Sequence, residues 1–214
     1  MKEGGRPFRR GLFCPHSVVD NHLKRPREQL SLAHIVLIYM ITIISGTNRP
    51  GSYTEKVAQV YLKRVEAAGL SAQLLALTDM PQDLLTNDMY DGPKNAAMQQ
   101  LEEQYLIPAT KFVFIAPEYN GSFPGVLKAF IDASNLKACF HNKKAALVGV
   151  ADGRAGNLRG MEHLTNILNH MKINVLHLKI PVSNVSKHFD EQGAFVSQEA
   201  IKLMDMQIEM LDKF

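Results

Sequence analysis

A run of β-branched residues that passes without a break into a polar loop constrains this chain more than any other feature. Met40 to Thr54 reads Met-Ile-Thr-Ile-Ile-Ser-Gly-Thr-Asn-Arg-Pro-Gly-Ser-Tyr-Thr. Ile41, Ile43 and Ile44 are the residues of a buried strand. Gly46 and Gly51 let the backbone turn tightly, and Thr47, Ser52 and Thr54 set hydroxyls beside the Arg49 cation and Asn48. A helix beginning near Tyr53 would aim its unpaired N–H groups and positive dipole end at the same point. The pattern predicts an anion site at the carboxyl end of a first strand, where open α/β sheets bind ligands. It is neither a triphosphate loop, lacking the Gly-Lys-Ser/Thr ending, nor a G-x-G-x-x-G turn. The plainer alternative is a polar βα turn with an N-cap.

A second segment repeats the arrangement. Lys111-Phe-Val-Phe-Ile-Ala116 is another buried-strand pattern, followed by Pro117-Glu118-Tyr119-Asn120-Gly121-Ser122 and then Phe123-Pro124-Gly125-Val126-Leu127-Lys128. With both loops in this order, the sequence resembles the NADPH-dependent FMN reductase family, flavodoxin-like enzymes that include quinone, chromate and azo reductases. The family's first loop, Gly-Ser/Thr-x-Arg-x-x-Ser-x-Asn/Thr, is matched by Gly46, Thr47, Arg49, Ser52 and Thr54. Its second is matched by Pro117 to Asn120, Ser122, Pro124-Gly125, Leu127-Lys128 and Asp132. The resemblance runs from about Met40 to the C-terminus.

The resemblance implies an FMN site, and the residue types suit one. Thr47, Asn48, Arg49, Ser52, Tyr53 and Thr54 offer hydroxyls, a guanidinium and backbone N–H groups to a phosphate. Pro117, Glu118, Tyr119, Asn120 and Gly121 would line the flat ring. Pro117 has a fixed φ, Tyr119 an aromatic face, and Asn120 and Gly121 tolerate unusual backbone conformations. The plainer reading of Glu118-Tyr119-Asn120 is an ordinary turn with an exposed tyrosine.

A third loop departs from the family pattern. Ala145 to Val150 reads as a strand, and Ala151-Asp152-Gly153-Arg154-Ala155-Gly156-Asn157 follows. Relatives often place Ser or Thr at its start, near the flavin edge where negative charge gathers on reduction. Asp152, Gly153 and Arg154 are still expected at the cofactor. The Asp152 carboxylate is expected to turn away, pairing Arg154 or capping the helix that starts near Leu158.

Charge is unevenly placed. Residues 1–39 hold seven Lys/Arg against three acids, a net of +4, whereas the whole chain carries +3, so residues 40–214 carry −1. Nothing in that near-neutral body suggests nucleic-acid binding. Residues 1–39 show no helical or strand period until Leu30 and are expected to be a disordered extension or a mis-assigned start. Met40 falls where relatives of the family begin. The apolar stretch 35–44 is too short for a membrane span and serves as the first strand and its lead-in. Cys139 reads as a small buried hydrophobe, and the eight histidines show no metal-ligand spacing.

The remaining patterns alternate strand and helix. A helix is predicted from Tyr53 to Ala68, with Ala58, Leu62 and Val65 inward, then a strand near Ala72–Leu77. A long loop spans Met80–Pro93 and a helix Lys94–Tyr105. After the second strand-and-loop unit come a helix over Gly125–Ala138, the 145–150 strand, a helix over Leu158–Met171 and a strand near Val175–Leu178. A last helix, Gln198–Lys213, places Ile201, Met204, Ile208 and Leu211 on one stripe. The fold expected is a flavodoxin-like α/β sandwich with a five-stranded parallel sheet in the order 2-1-3-4-5.

The resemblance implies a cytoplasmic homodimer or homotetramer that binds FMN. Hydride would pass from NAD(P)H through the flavin to a small oxidant such as a quinone, by a ping-pong mechanism. The cofactor carries that chemistry, so no catalytic side chain or metal is expected. Two competitors stand beside this reading: a flavodoxin-type electron carrier without NAD(P)H activity, and a binding protein that has lost the cofactor. Such carriers tend to be strongly acidic, unlike this body.

Overall fold

The computed structural model describes residues 40–81, 83 and 95–214. The extension at residues 1–39 and most of the expected 80–93 loop lie outside the described residues. In chain order the elements are β1 (Met40–Ser45), α1 (Tyr53–Ala67), β2 (Ala72–Ala76), α2 (Ala96–Leu101), β3 (Ala109–Pro117) and α3 (Gly125–Ala133). Then follow α4 (Leu136–Cys139), β4 (Lys144–Val150), α5 (Leu158–His170), β5 (Asn174–Val182) and α6 (Gln198–Lys213).

The strands form one sheet in the order β2-β1-β3-β4-β5, and every neighbouring pair is parallel. Side-chain alternation sorts the central strands onto two covered faces. Ile41, Ile43, Val113, Ile115, Ala146 and Val148 join Val57, Tyr61, Met204 and Ile208, so α1 and α6 cover that face. Ile44, Phe112, Phe114 and Leu147 join Met98, Leu127, Phe130 and Leu164 under α2, α3 and α5. β1 therefore lies between β2 and β3, and the chain reverses its direction of sheet growth between β1 and β3. That reversal puts the β1 and β3 loops side by side at the carboxyl edge.

Three boundaries and one burial pattern differ from the sequence-based expectation. The helix expected over 125–138 breaks at Ser134, whose hydroxyl donates to Phe130 O at 2.7 Å while its backbone turns extended. Asn135 then restarts the chain as the N-cap of α4, its Oδ1 accepting from Ala138 N–H at 3.1 Å. The helix expected to Tyr105 loosens into a π-helical turn at Glu102–Leu106, and Lys94 lies outside the described residues. β5 runs past Leu178 through Pro181 to Val182; as an edge strand it needs ladder N–H groups on one side only.

The fourth difference lies on α6. Ile201 is only partly buried, whereas Gln207 is completely buried beside Met204, Ile208 and Leu211. The β4–β5 register explains the polar choice. Ala145 pairs with Val175 but Leu147 with Lys179, so β5 carries two extra residues there. Gln207 Nε2 donates to Leu147 O (3.1 Å) and Leu178 O (2.7 Å) across that interruption. Tyr61 Oη donates to Gln207 Oε1 at 2.9 Å. Burial, aided by nearby Asp205, pushes the Tyr61 phenol well above its ordinary pKa, so it remains a donor. Cys139 is buried in the core, as expected from its surroundings in the sequence.

Candidate active site

The first loop begins with a close approach that favours glycine. Gly46 N–H donates to Ile115 O at 2.8 Å. A Cβ there would lie 3.0 Å from that oxygen and 3.1 Å from Leu127 Cδ2. Thr47 is buried next, its Oγ1 accepting from Arg49 N–H at 3.3 Å and lying 3.3 Å from Tyr119 Oη. Ser52 then caps α1: its Oγ accepts from Glu55 N–H at 3.2 Å, a contact of the kind worth about 1 kcal/mol. The N–H groups of Gly51, Ser52, Tyr53 and Thr54 make no hydrogen bond among the described residues, and neither does the Arg49 guanidinium. A helix N-terminus with free donors and an unpaired cation is an anion site by its chemistry.

The second loop is a tight turn. Glu118 N–H donates to Val150 O at 2.9 Å, which carries the chain toward β4. Tyr119 and Ser122 then exchange N–H···O bonds of 2.8 and 3.0 Å. Between them Asn120 and Gly121 have φ of +53° and +77°, a two-residue turn of the kind for which Asn-Gly is the favoured pair. Tyr119 remains 41% exposed beside the opening.

The third loop is strapped to the segment after β5. Ala151 N–H donates to Val182 O (3.0 Å), Val185 N–H to Ala151 O (3.1 Å) and Asn184 N–H to Gly153 O (3.3 Å). Asp152 pairs neither with Arg154 nor with α5. Its Oδ1 accepts from the Ser186 hydroxyl at 2.6 Å and the Ser186 N–H at 3.2 Å. Those two bonds, the hydroxyl first, hold the carboxyl below its ordinary pKa. The 3₁₀ turn at Val185–His188 presents an N–H and a hydroxyl directly to the carboxylate, which is why it turns to Ser186 instead. α5 is preceded instead by Asn157, at φ +65°, whose Nδ2 donates to Ala116 O at 2.9 Å.

A cavity of about 370 Å³ lies where the three loops meet, a volume typical of small-molecule sites. Of the residues expected there, Thr47, Arg49, Ser52, Tyr53 and Thr54 line it from the first loop, Pro117, Glu118 and Tyr119 from the second, and Asp152 from the third. Asn48, Asn120, Gly121, Gly153 and Arg154 are not among its lining residues. Asn120 and Gly121 shape the turn that presents Tyr119. Pro50, Val150 and Val185 line the cavity unforeseen. Val150 ends a recognised strand, but Val185 is one apolar residue in a polar segment and gives no signal in the sequence.

This donor set fits FMN. Free N–H groups, hydroxyls and Arg49 answer its phosphate, and Pro117, Tyr119, Val150 and Val185 supply flat or apolar surface for a ring.

Comparison with known proteins decides the family. The sequence pattern described as NADPH-dependent FMN reductase matches residues 39–187, well over half of the chain. The chain belongs to the NADPH-dependent FMN reductase family. An NAD(P)H-dependent FMN reductase of Pseudomonas aeruginosa is 32% identical over 171 residues, covering 78% of this chain and 90% of that one. A quinone reductase of Pseudomonas putida is 24% identical over 180 residues, covering 83% and 91%. Among solved structures, the flavoenzyme NAD(P)H:(acceptor) oxidoreductase FerB of Paracoccus denitrificans superposes with a TM-score of 0.66 at 22% identity, covering 82% and 96%. That likeness shows the flavodoxin-like fold. As a member of the family, this FMN reductase is an oxidoreductase that uses FMN with NAD(P)H as its electron donor. No helix among the described residues is long and apolar enough to cross a membrane.

Proposed function

We propose that the cavity at the β1/β3 edge holds FMN with its phosphate in the first loop and its ring between the second and third. Thr47, Arg49, Ser52 and Thr54 would take the phosphate together with the N–H groups of the α1 terminus. Glu118, Tyr119 and the Ala151–Asp152 stretch would border the ring. The observation that carries this assignment is the concentration of unpaired donors and one cation in the first loop, in a cavity lined elsewhere by Pro117, Tyr119, Val150 and Val185 together with the carboxylates of Glu118 and Asp152. Bound FMN supplies reversible hydride and electron chemistry. The chain's own residues bind, orient and screen it, and none is required as acid, base or nucleophile.

Tyr119 borders the open side of the cavity and offers an aromatic face to a planar partner. We infer that NAD(P)H and the oxidant use this face in alternation, which makes the kinetics ping-pong. Relatives named quinone reductases support a quinone-like acceptor. A homodimer or homotetramer in the cytoplasm belongs to the same reading; Leu158, half-exposed beside the third loop, is apolar surface that a second copy would cover. Steady-state oxidation of NADPH with a quinone tests the proposal. Parallel lines in double-reciprocal plots are expected, and intersecting lines would rule out alternation at one face.

A further inference from the structure

One stripe of α5 supports the second loop from behind. Gly160 packs so closely that a Cβ on it would meet the Ser122 carbonyl carbon at 2.7 Å. Asn157, three residues before it, holds Ala116 O at the end of β3 with its 2.9 Å hydrogen bond. His163, three residues after it, places Nδ1 2.9 Å from Ser122 Oγ. Gly160 and His163, three apart on α5, share a face, and with Asn157 at the helix's N-cap they address consecutive parts of the 116–122 segment.

The turn needs that support. Tyr119 and Ser122 form an isolated pair with no longer hairpin behind them, and so short a ribbon is not stable by itself in water. Ser122 closes the turn on Tyr119, and Tyr119 Oη lies 3.3 Å from Thr47 Oγ1 in the first loop. A continuous path therefore runs from His163 through Ser122 and Tyr119 to Thr47. His163 itself does not line the cavity.

We propose that His163 is a positioning residue of this reductase: through Ser122 it fixes the Tyr119–Ser122 turn, and with it the aromatic border of the site. The proposal rests on the assignment of the cavity to FMN. The bond needs no particular protonation state. A neutral Nδ1 accepts from the Ser122 hydroxyl, and a protonated one donates to Ser122 Oγ. The requirement is thus for a polar atom at that point, which an amide can supply. Both partners are near solvent, so the bond adds little to global stability, and its effect falls on the geometry of the turn.

The test compares His163→Leu, His163→Gln, Ser122→Ala and the double variant His163→Leu/Ser122→Ala with the wild type, and carries Arg49→Ala in parallel. Loss of one hydrogen bond predicts about a fivefold rise in KM for NADPH and in Kd for FMN in His163→Leu. The melting temperature without flavin should move by less than about 2 °C. Gln should restore most of the loss, Ser122→Ala should match Leu, and the double variant should be no worse than either single one. If Arg49→Ala releases flavin while His163→Leu keeps wild-type KM and Kd, or if Gln rescues nothing, the positioning role is wrong and the site assignment stands. If Arg49→Ala also retains flavin fully, the site assignment fails and takes the positioning role with it.

Discussion

The first and third loops leave the same edge of the same sheet, yet they use their polar groups in opposite ways. The third directs its groups inward to the protein: Asp152 holds Ser186, Gly153 O accepts from Asn184, and Asn157 holds Ala116. The first leaves four N–H groups and the Arg49 guanidinium without partners among the described residues while burying Thr47. Unpaired donors at a helix end are tolerated where water or a ligand answers them. The difference teaches that a wall and a ligand cradle can come from similar βα loops, according to where the hydrogen bonds go.

Substitutions should separate the two roles, and the largest effect is expected in the third loop. Asn157→Ala removes a buried donor from Ala116 O and places alanine at φ +65°. The combined cost should be about 3 kcal/mol in urea unfolding of the flavin-free protein. Wild-type unfolding in that variant would mean that the third loop does not depend on its internal bonds. Arg49→Ala should do the reverse. Losing a charge-assisted contact predicts FMN binding about thirtyfold weaker with unfolding unchanged within about 0.5 kcal/mol. A large loss of stability without loss of affinity would erase the distinction between the loops.

Two smaller effects sharpen it. The Asp152 carboxyl has its pKa lowered in the folded state, so its contribution is present above the unfolded value of about 4 and disappears as pH falls through the folded one. Melting temperatures measured from pH 6 to pH 2.5 should therefore show a shallower acid-side decline in Asp152→Asn than in the wild type. Identical slopes would place the Asp152–Ser186 contact outside the stability of the fold. Smallest of all, Tyr119→Phe removes only a 3.3 Å contact to Thr47 and should weaken FMN binding about twofold, measured by fluorescence titration. A tenfold loss would give the phenol a part that the geometry does not assign.

The strands and the first two loops could be read from the sequence because each depends on local chemistry. β-branched runs mark strands covered on both faces, and Asn120-Gly121 marks its turn through the positive φ that both residues accept. What escaped depends on contacts between distant residues. Ser186 lies 34 positions from Asp152, so no spacing rule links them. Gln207 looks like a surface residue until the extra residues in β5 call for donors in the core. Pro181 reads as a strand ending unless the strand is known to lie at the edge. Val185 enters the cavity because the third loop is strapped to the segment that bears it.

The central claim is that the first loop binds the phosphate of FMN, and a comparison of FMN with riboflavin tests it most directly. Titrating flavin-free protein with each should show FMN bound about a hundredfold more tightly, and Arg49→Ala should remove most of that preference. Equal affinity of the wild-type protein for the two flavins would contradict the account.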